Sequence, residues 1–398
     1  MTARTAVASR GGDRRGPTSR AILAAIVAVL CLIGLVMVLS ASSVLALREY
    51  GTSWLFFGRQ VLWLLLGAAA LVVTSRVDYH RWGRLGLPML VASLVLLALV
   101  LVPGVGITVS GSTRWLGTSS WRIQPSELAK LAVLVFAADY LARVSQGPID
   151  RLAVRVVLGV FATVGLFVMR QPDMGTTLVL GCIVLALLFV AGTPLRAMAA
   201  LGAGALAVTL VVGLAAPYRR ARMVSFLNPW ADAGNTGYQV VQSLVGLGTG
   251  RWSGVGLGAS RAKWGFLPNA HTDFIFAIIG EELGLVGTLF VLALFMGFAV
   301  LGVRTALRAP DRFGTLLAAG ITAWVVGQAM INIGAVTGVV PVTGVPLPFV
   351  SFGGSSLVIL LAAVGMLLNV AAQERGRSSA GGPGGGVVAA RPPAPAPA

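Results

Sequence analysis

Charge is scarce in this sequence, and acid scarcest. Asp, Glu, Lys and Arg make up 11% of the 398 residues, and only 13 residues are acidic. With 57% hydrophobic residues and a mean hydropathy of +0.88, the chain is far too apolar for a soluble domain. The alternating segments of about ten residues that build a transmembrane β-barrel are missing, which excludes that class. Cysteine is limited to Cys31 and Cys182, both inside apolar runs, so neither a disulfide nor a cysteine metal site is expected. There are two histidines, and neither has a second His or Cys at metal-motif spacing. No internal repeat is present.

What is abundant is apolar length. Runs fall at roughly 21–47, 54–75, 84–103, 125–142, 154–169, 174–192, 195–216, 274–303, 313–336 and 353–372. Most are near the length that crosses a ~30 Å hydrocarbon core. The fold class expected is therefore all-α, a polytopic membrane protein of about ten transmembrane helices. The first run is too long for a signal peptide and reads as an uncleaved helix. Residues 1–20 and 373–398, rich in Arg, Gly, Pro and Ala, read as disordered tails around a membrane domain at 21–372.

The formal charge of +17 invites a nucleic-acid partner, but its placement argues against one. With ten spans, 18 of the 30 Lys and Arg fall in the tails and the loops on their side. Both termini are then cytoplasmic, because positive loops stay inside. The exception is 217–272, a large extracytoplasmic loop between the seventh and eighth spans. It holds Arg219, Arg220, Arg222, Arg251, Arg261 and Lys263 against Asp232. That imbalance suggests an anionic ligand outside the membrane.

The rare ionisable groups gather in "FLPNAHTDFIFAIIGEELG", residues 266–284. Either Thr272 or Asp273 is placed to cap a helix, which is the plainest role for that acid. The sharper reading is a reactive carboxylate at the outer boundary, since ionisable groups at membrane depth are costly and usually mark a site. Glu281 and Glu282, about two turns deeper, read as pairing partners. His271 reads as a loop residue holding Asp273 or the backbone.

Other polar clusters have plainer readings beside the functional one. "SGVGLGASRAK" lacks both nucleotide-loop spacings, yet its backbone could present N–H groups to an anion. Gln239, Gln242 and Ser243 share a helical face suited to sugar hydroxyls or to solvent. Glu127 and Lys130, at i and i+3 in an apolar run, pair with each other. Arg59 and Gln60 raise the same question. The loop 104–124 carries Arg114 among turn formers and aromatics. The stretch 337–356, "TGVVPVTGVPLPFVSFGGSS", has too much Pro and Gly for a helix and must be buried in protein or line a cavity.

Four stretches together resemble a known family: "GSTRWLGTSSWRIQPSELAKLA", "NPWADAGNTGYQVVQSL", "GVGLGASRAKWGFLPNAHTDFIFAIIGEELGLVG" and "PVTGVPLPFVSFGGSS". The chain resembles the SEDS family, the FtsW/RodA-type peptidoglycan polymerases, over about residues 25–372. The resemblance implies ten helices, a re-entrant segment before the tenth, and polymerisation of lipid II, a disaccharide-peptide on undecaprenyl pyrophosphate, into β-1,4 glycan. It implies that Asp273 is catalytic, that Arg222 and Lys263 match the family's basic residues, and that a single-pass class B penicillin-binding transpeptidase is the partner. Other divisome or elongasome proteins follow as partners, and nucleic acid does not. "HTDFIFAIIGEELG" and "SASSVLA" look like the division type, "PVTGVPLPFVSFGG" more like the elongation type. Asn269 stands where many members have Glu, and Phe352 replaces a Tyr.

The chemistry fits without the name. Converting an α-linked sugar pyrophosphate to a β-glycoside is an inverting displacement, needing one carboxylate for the acceptor hydroxyl and positive charge for the leaving pyrophosphate. With the resemblance supplying Arg222 and Lys263, the substrate-binding set expected is Arg222, Lys263, Gln239, Gln242, Ser243 and Arg114. His271, Thr272, Glu281, Lys130, Glu127 and Ser351 are expected in support, with Glu281 holding a cation behind Asp273. A divalent ion, magnesium or manganese, is a further way to acidify the hydroxyl. The rival readings are a flippase for the same lipid and a non-catalytic scaffold.

Overall fold

The structure, a computed structural model, describes residues 19–109, 111–118, 121–144, 149–215 and 226–380. The tails at 1–18 and 381–398, and Arg219, Arg220 and Arg222, lie outside the described residues. The helices are α1 (Ser19–Tyr50), α2 (Leu55–Arg76), α3 (Tyr79–Val100), α4 (Pro125–Val144), α5 (Arg151–Arg170), α6 (Met174–Val190), α7 (Leu195–Ala215), α8 (Tyr238–Gly250), α9 (Ile275–Leu307), α10 (Arg312–Val336) and α11 (Gly354–Ala380). Seven of them, α1, α2, α3, α5, α9, α10 and α11, are long and apolar enough to cross a membrane; α6 and α7 are shorter apolar helices. The expected runs thus reappear as helices. The last one continues beyond residue 372, into sequence read as a disordered tail.

Scarce acids are spent on helix starts. Asp78, Asp150, Asp173 and Asp311 each accept a backbone N–H at the N-cap of α3, α5, α6 and α10, each contributing about 1 kcal/mol. α4 carries Glu127, Lys130, Asp139 and Arg143, yet its residues are buried from Pro125 to Leu141 with few exceptions. It packs on α3, α10 and α6. Protein, not lipid, surrounds Glu127 and Lys130, while Arg143 in the last turn is exposed. α2 and α5 lie at the periphery and show apolar side chains outward.

The loop 104–124 is not merely irregular. It forms a three-stranded antiparallel sheet, β1 (Ile107–Val109), β2 (Ser112–Gly117) and β3 (Arg122–Ile123), with β2 in the middle.

The run expected as one continuous helix from 274 to 303 is broken. At Gly284 the backbone turns to φ 68°, ψ −163°, splitting α9 into a buried half-helix and a longer span. The loop after α8 fills the gap. Leu285 N donates to Arg251 O (2.8 Å) and Val286 N to Trp252 O (3.2 Å), while Val255 N and Gly256 N donate to Glu281 O and Glu282 O. Backbone groups freed by a break inside a membrane must find such partners. A Cβ at Gly284 would stand 2.3 Å from Gly254 N, so only glycine fits there.

Between α10 and α11, residues 337–353 run without helix, and Leu347 to Ser351 are buried. A Cβ on Gly34, midway along α1, would stand 2.6 Å from Phe349 O, so the segment reaches the middle of the bundle. Gln328 on α10 donates to Pro346 O (2.9 Å) and Gln60 on α2 to Ser351 O (3.4 Å).

Candidate active site

Asp273 sits just before α9, where the half-helix meets the irregular segment. The N-cap residue of α9 is Phe274, with no side-chain cap bond. Asp273 thus stands one position before the residue that opens the helix, and Thr272 spends its hydroxyl on Asn269 O. What the fold does is fix the backbone there. Three successive carbonyls are taken: His271 O accepts from Phe352 N (3.0 Å), Thr272 O from Ser351 Oγ (2.6 Å) and Asp273 O from Asn332 Nδ2 (2.7 Å). Ser351 Oγ also accepts from Leu347 N (2.8 Å), and Asn332 Nδ2 also donates to Val345 O (2.7 Å). With its NH2 facing two carbonyls, Asn332 leaves its buried Oδ1 without a protein partner, a cost of about 1–3 kcal/mol.

The Asp273 side chain is half-buried, and Gly344 beside it is exposed. A Cβ built at Gly344 would lie 3.6 Å from Asp273 Oδ2. The carboxylate therefore reaches the irregular segment at an open position. The start of α6 closes the far side of that segment: a Cβ on Gly175 would meet Thr343 O at 2.7 Å.

The neighbours foreseen around Asp273 have other duties. Thr272 Oγ1 donates to Asn269 O (3.2 Å), and Asn269 turns the chain at φ 57°, a conformation asparagine tolerates well. The His271 ring packs between Phe56 (5.0 Å between centroids) and Phe352 (5.8 Å). Burial pushes its pKa down to about 4, so the imidazole is neutral and is no cation for a phosphate.

Lys263 and Arg114 are placed as struts. Lys263 is buried, with Nζ 3.4 Å from Glu282 Oε1, 3.3 Å from Ser40 Oγ of α1, and donating to Gly258 O. Arg114 on β2 donates to Gln171 O (3.0 Å) and Pro172 O, and lies 3.7 Å from Asp173, tying the sheet to the start of α6. Among the described residues no side-chain cation pairs with Glu281. Its oxygens accept from Arg261 N (2.8 Å), Ala262 N (3.3 Å) and Ser260 Oγ, so it orders the loop backbone instead. Ser243 is buried and donates to Val336 O (2.6 Å) at the end of α10, leaving Gln239 and Gln242 half-buried on the α8 face.

Glu127 and Lys130 do pair, at 2.8 Å. The pair continues through Lys130 Nζ to Gln328 Oε1 (3.1 Å) and so to Pro346 O, supporting the irregular segment from below. Glu127 and Gln328 border a cavity of about 10 Å³, room for roughly one water.

Among the described residues no three His, Cys, Asp or Glu side chains could hold a metal ion together. The carbonyls of 271–273 are already hydrogen-bonded as well. A divalent ion at Asp273 would have to complete its shell with water or substrate phosphates.

Asn332 and Gln328 were missed from the sequence. Their signal was legible: two amides four apart in an otherwise apolar span, an unusual thing to bury.

The "Cell cycle protein" family of FtsW, RodA and SpoVE matches residues 20–376. The chain belongs to that family. Among relatives of this FtsW/RodA/SpoVE chain, the stage V sporulation protein E of Bacillus subtilis (strain 168) is 43% identical over 351 residues, covering 88% of this chain and 96% of that one. A probable peptidoglycan glycosyltransferase FtsW of Geobacter metallireducens (strain ATCC 53774 / DSM 7210 / GS-15) is 40% identical over 350 residues, 87% of this chain and 92% of its own. In three dimensions the chain superposes on one from a solved peptidoglycan synthase complex that coordinates polymerization and crosslinking. The TM-score is 0.73 at 29% identity, covering 88% of this chain and 97% of that one.

Proposed function

We propose that this chain is a peptidoglycan glycosyltransferase that polymerises lipid II at the outer face of the cytoplasmic membrane, with Asp273 as the base. The seating of Asp273 carries the reading: its backbone is clamped at three carbonyls while its carboxylate meets an exposed glycine. A rigid mount that sets a half-buried carboxylate beside an exposed glycine suits a group that must meet a substrate hydroxyl. The acceptor hydroxyl oxygen attacks the anomeric carbon of the donor sugar. The bond from that carbon to the pyrophosphate oxygen breaks, and the hydroxyl proton passes to Asp273. The positive end of α9, worth about 0.3–1 kcal/mol, keeps the carboxylate ionised before the attack.

Lys263 and Arg114 are engaged elsewhere, so Arg222 is assigned to the leaving pyrophosphate and Gln239 and Gln242 to the sugar hydroxyls. Both termini are cytoplasmic and 217–272 is external. The partner is a class B penicillin-binding transpeptidase, in line with the complex that the chain superposes on. Septal synthesis is favoured over lateral by the "HTDFIFAIIGEELG" stretch.

A transporter reading has one observation in its favour, the broken α9 beside an irregular segment. One assay separates the two. Purified chain, with and without its cognate transpeptidase, is given lipid II and the glycan is sized. Wild type makes strands, and Asp273→Asn makes none while still binding lipid II. Near-wild-type strands from Asp273→Asn would put the base elsewhere; none from wild type under either condition would favour transport.

A further inference from the structure

The irregular segment and the half-helix of α9 belong to different parts of the chain, and one side chain joins them at the reactive position. Asn332 on α10 is 1% exposed. Its Nδ2 reaches Asp273 O and Val345 O, each at 2.7 Å. Val345 follows Gly344, the residue against which the Asp273 carboxylate lies. Both walls of the open position are thus spaced by a single amide. Its Oδ1, also buried, has no protein partner.

We propose that Asn332 is a positioning residue for the transfer: it sets the distance between Asp273 and the irregular segment at 343–345, and so the width of the slot that admits the acceptor hydroxyl. It does not touch substrate. The proposal rests on the reading of Asp273 as base. Ser351 and Phe352 hold the two preceding carbonyls from one end of the irregular segment. Among the described residues, Asn332 is the side chain that joins the carbonyl of Asp273 itself to the middle of that segment.

The test uses Asn332→Leu, similar in volume but without donors, and Asn332→Asp, which keeps the shape and loses the paired donors. Two readouts are taken on the full chain in nanodiscs. The first is hydrogen exchange of peptides covering 269–276 and 342–347. Exchange should accelerate at least ten-fold in both variants, with peptides of α2 and α5 unchanged. The second is polymerisation of lipid II. The turnover number should fall ten- to a hundred-fold, as a displacement near 1 Å would cause, with KM within two-fold of wild type. Unchanged exchange at 269–276 in a folded variant would overturn the proposal, whatever the activity. So would a rise in KM with turnover retained, which would make Asn332 a binding residue. Exchange that accelerates while wild type makes no glycan would leave the clamp standing and sink the glycosyltransferase reading instead.

Discussion

Replacing Lys263 by alanine decides between two roles for the lysine of the 217–272 loop. As a free cation for pyrophosphate, its loss would slow turnover and leave the fold alone. In the structure its side chain is 5% exposed, that of Glu282 0%, and the two lie 3.4 Å apart. Without the ammonium, Glu282 keeps, among the described residues, Ser40 Oγ, which has one proton for oxygens at 2.6 and 2.8 Å, and Ser260 N at 3.3 Å. An uncompensated buried carboxylate costs on the order of 3–5 kcal/mol. The strut also joins α1 to the loop that fills the break in α9, so the damage would spread to the half-helix carrying Asp273. Lys263→Ala should therefore lower the melting temperature of the purified chain by about 5 °C or more, scaling from soluble domains. Lys263→Ala combined with Glu282→Gln should recover most of that loss, because the orphaned charge is gone. Thermal unfolding of the variants in one detergent or nanodisc preparation measures this. An unchanged melting temperature in Lys263→Ala, with lipid II turnover down ten-fold, would refute the strut and restore the lysine to the substrate.

Gly284→Ala should be more damaging than its size suggests, costing roughly 1–3 kcal/mol from backbone strain alone before the clash with Gly254 N; a yield and melting temperature like wild type would show that the break relaxes. The pKa of His271 is depressed by burial to about 4 from an unfolded value near 6.5. Its stabilising effect is then complete above pH 6.5 and fades as pH falls toward 4. Wild type should lose more melting temperature than His271→Gln between pH 6.5 and 4.5, and parallel losses would contradict the burial argument. A cysteine placed at Thr236 should react with an impermeant maleimide added outside intact cells; labelling only from the cytoplasmic side would invert the topology.

The sequence by itself determined the membrane class and the helical runs, and it singled out the acid at 273. Apolar length is a local property, and so is the crowding of rare charge at 266–284. The Glu127–Lys130 pair was legible too, because i and i+3 lie on one helical face. Four long motifs in order carried the family. What lay beyond reach was the duty of each remaining charge. Lys263 looked available because the sequence around it is basic; Glu282 is 19 positions away and Ser40 is 223. Arg114 meets Asp173 only because β2 folds onto the start of α6. The break at Gly284 hid inside an apolar run, since one glycine in such a run is common and its meaning depends on the loop docked against it. Asn332 was overlooked as a helix residue, although it bridges Asp273 and Val345, which are 72 positions apart. Hydropathy is read along the chain; which donor meets which acceptor is settled only when distant segments pack, and burial then leaves each charge one affordable partner.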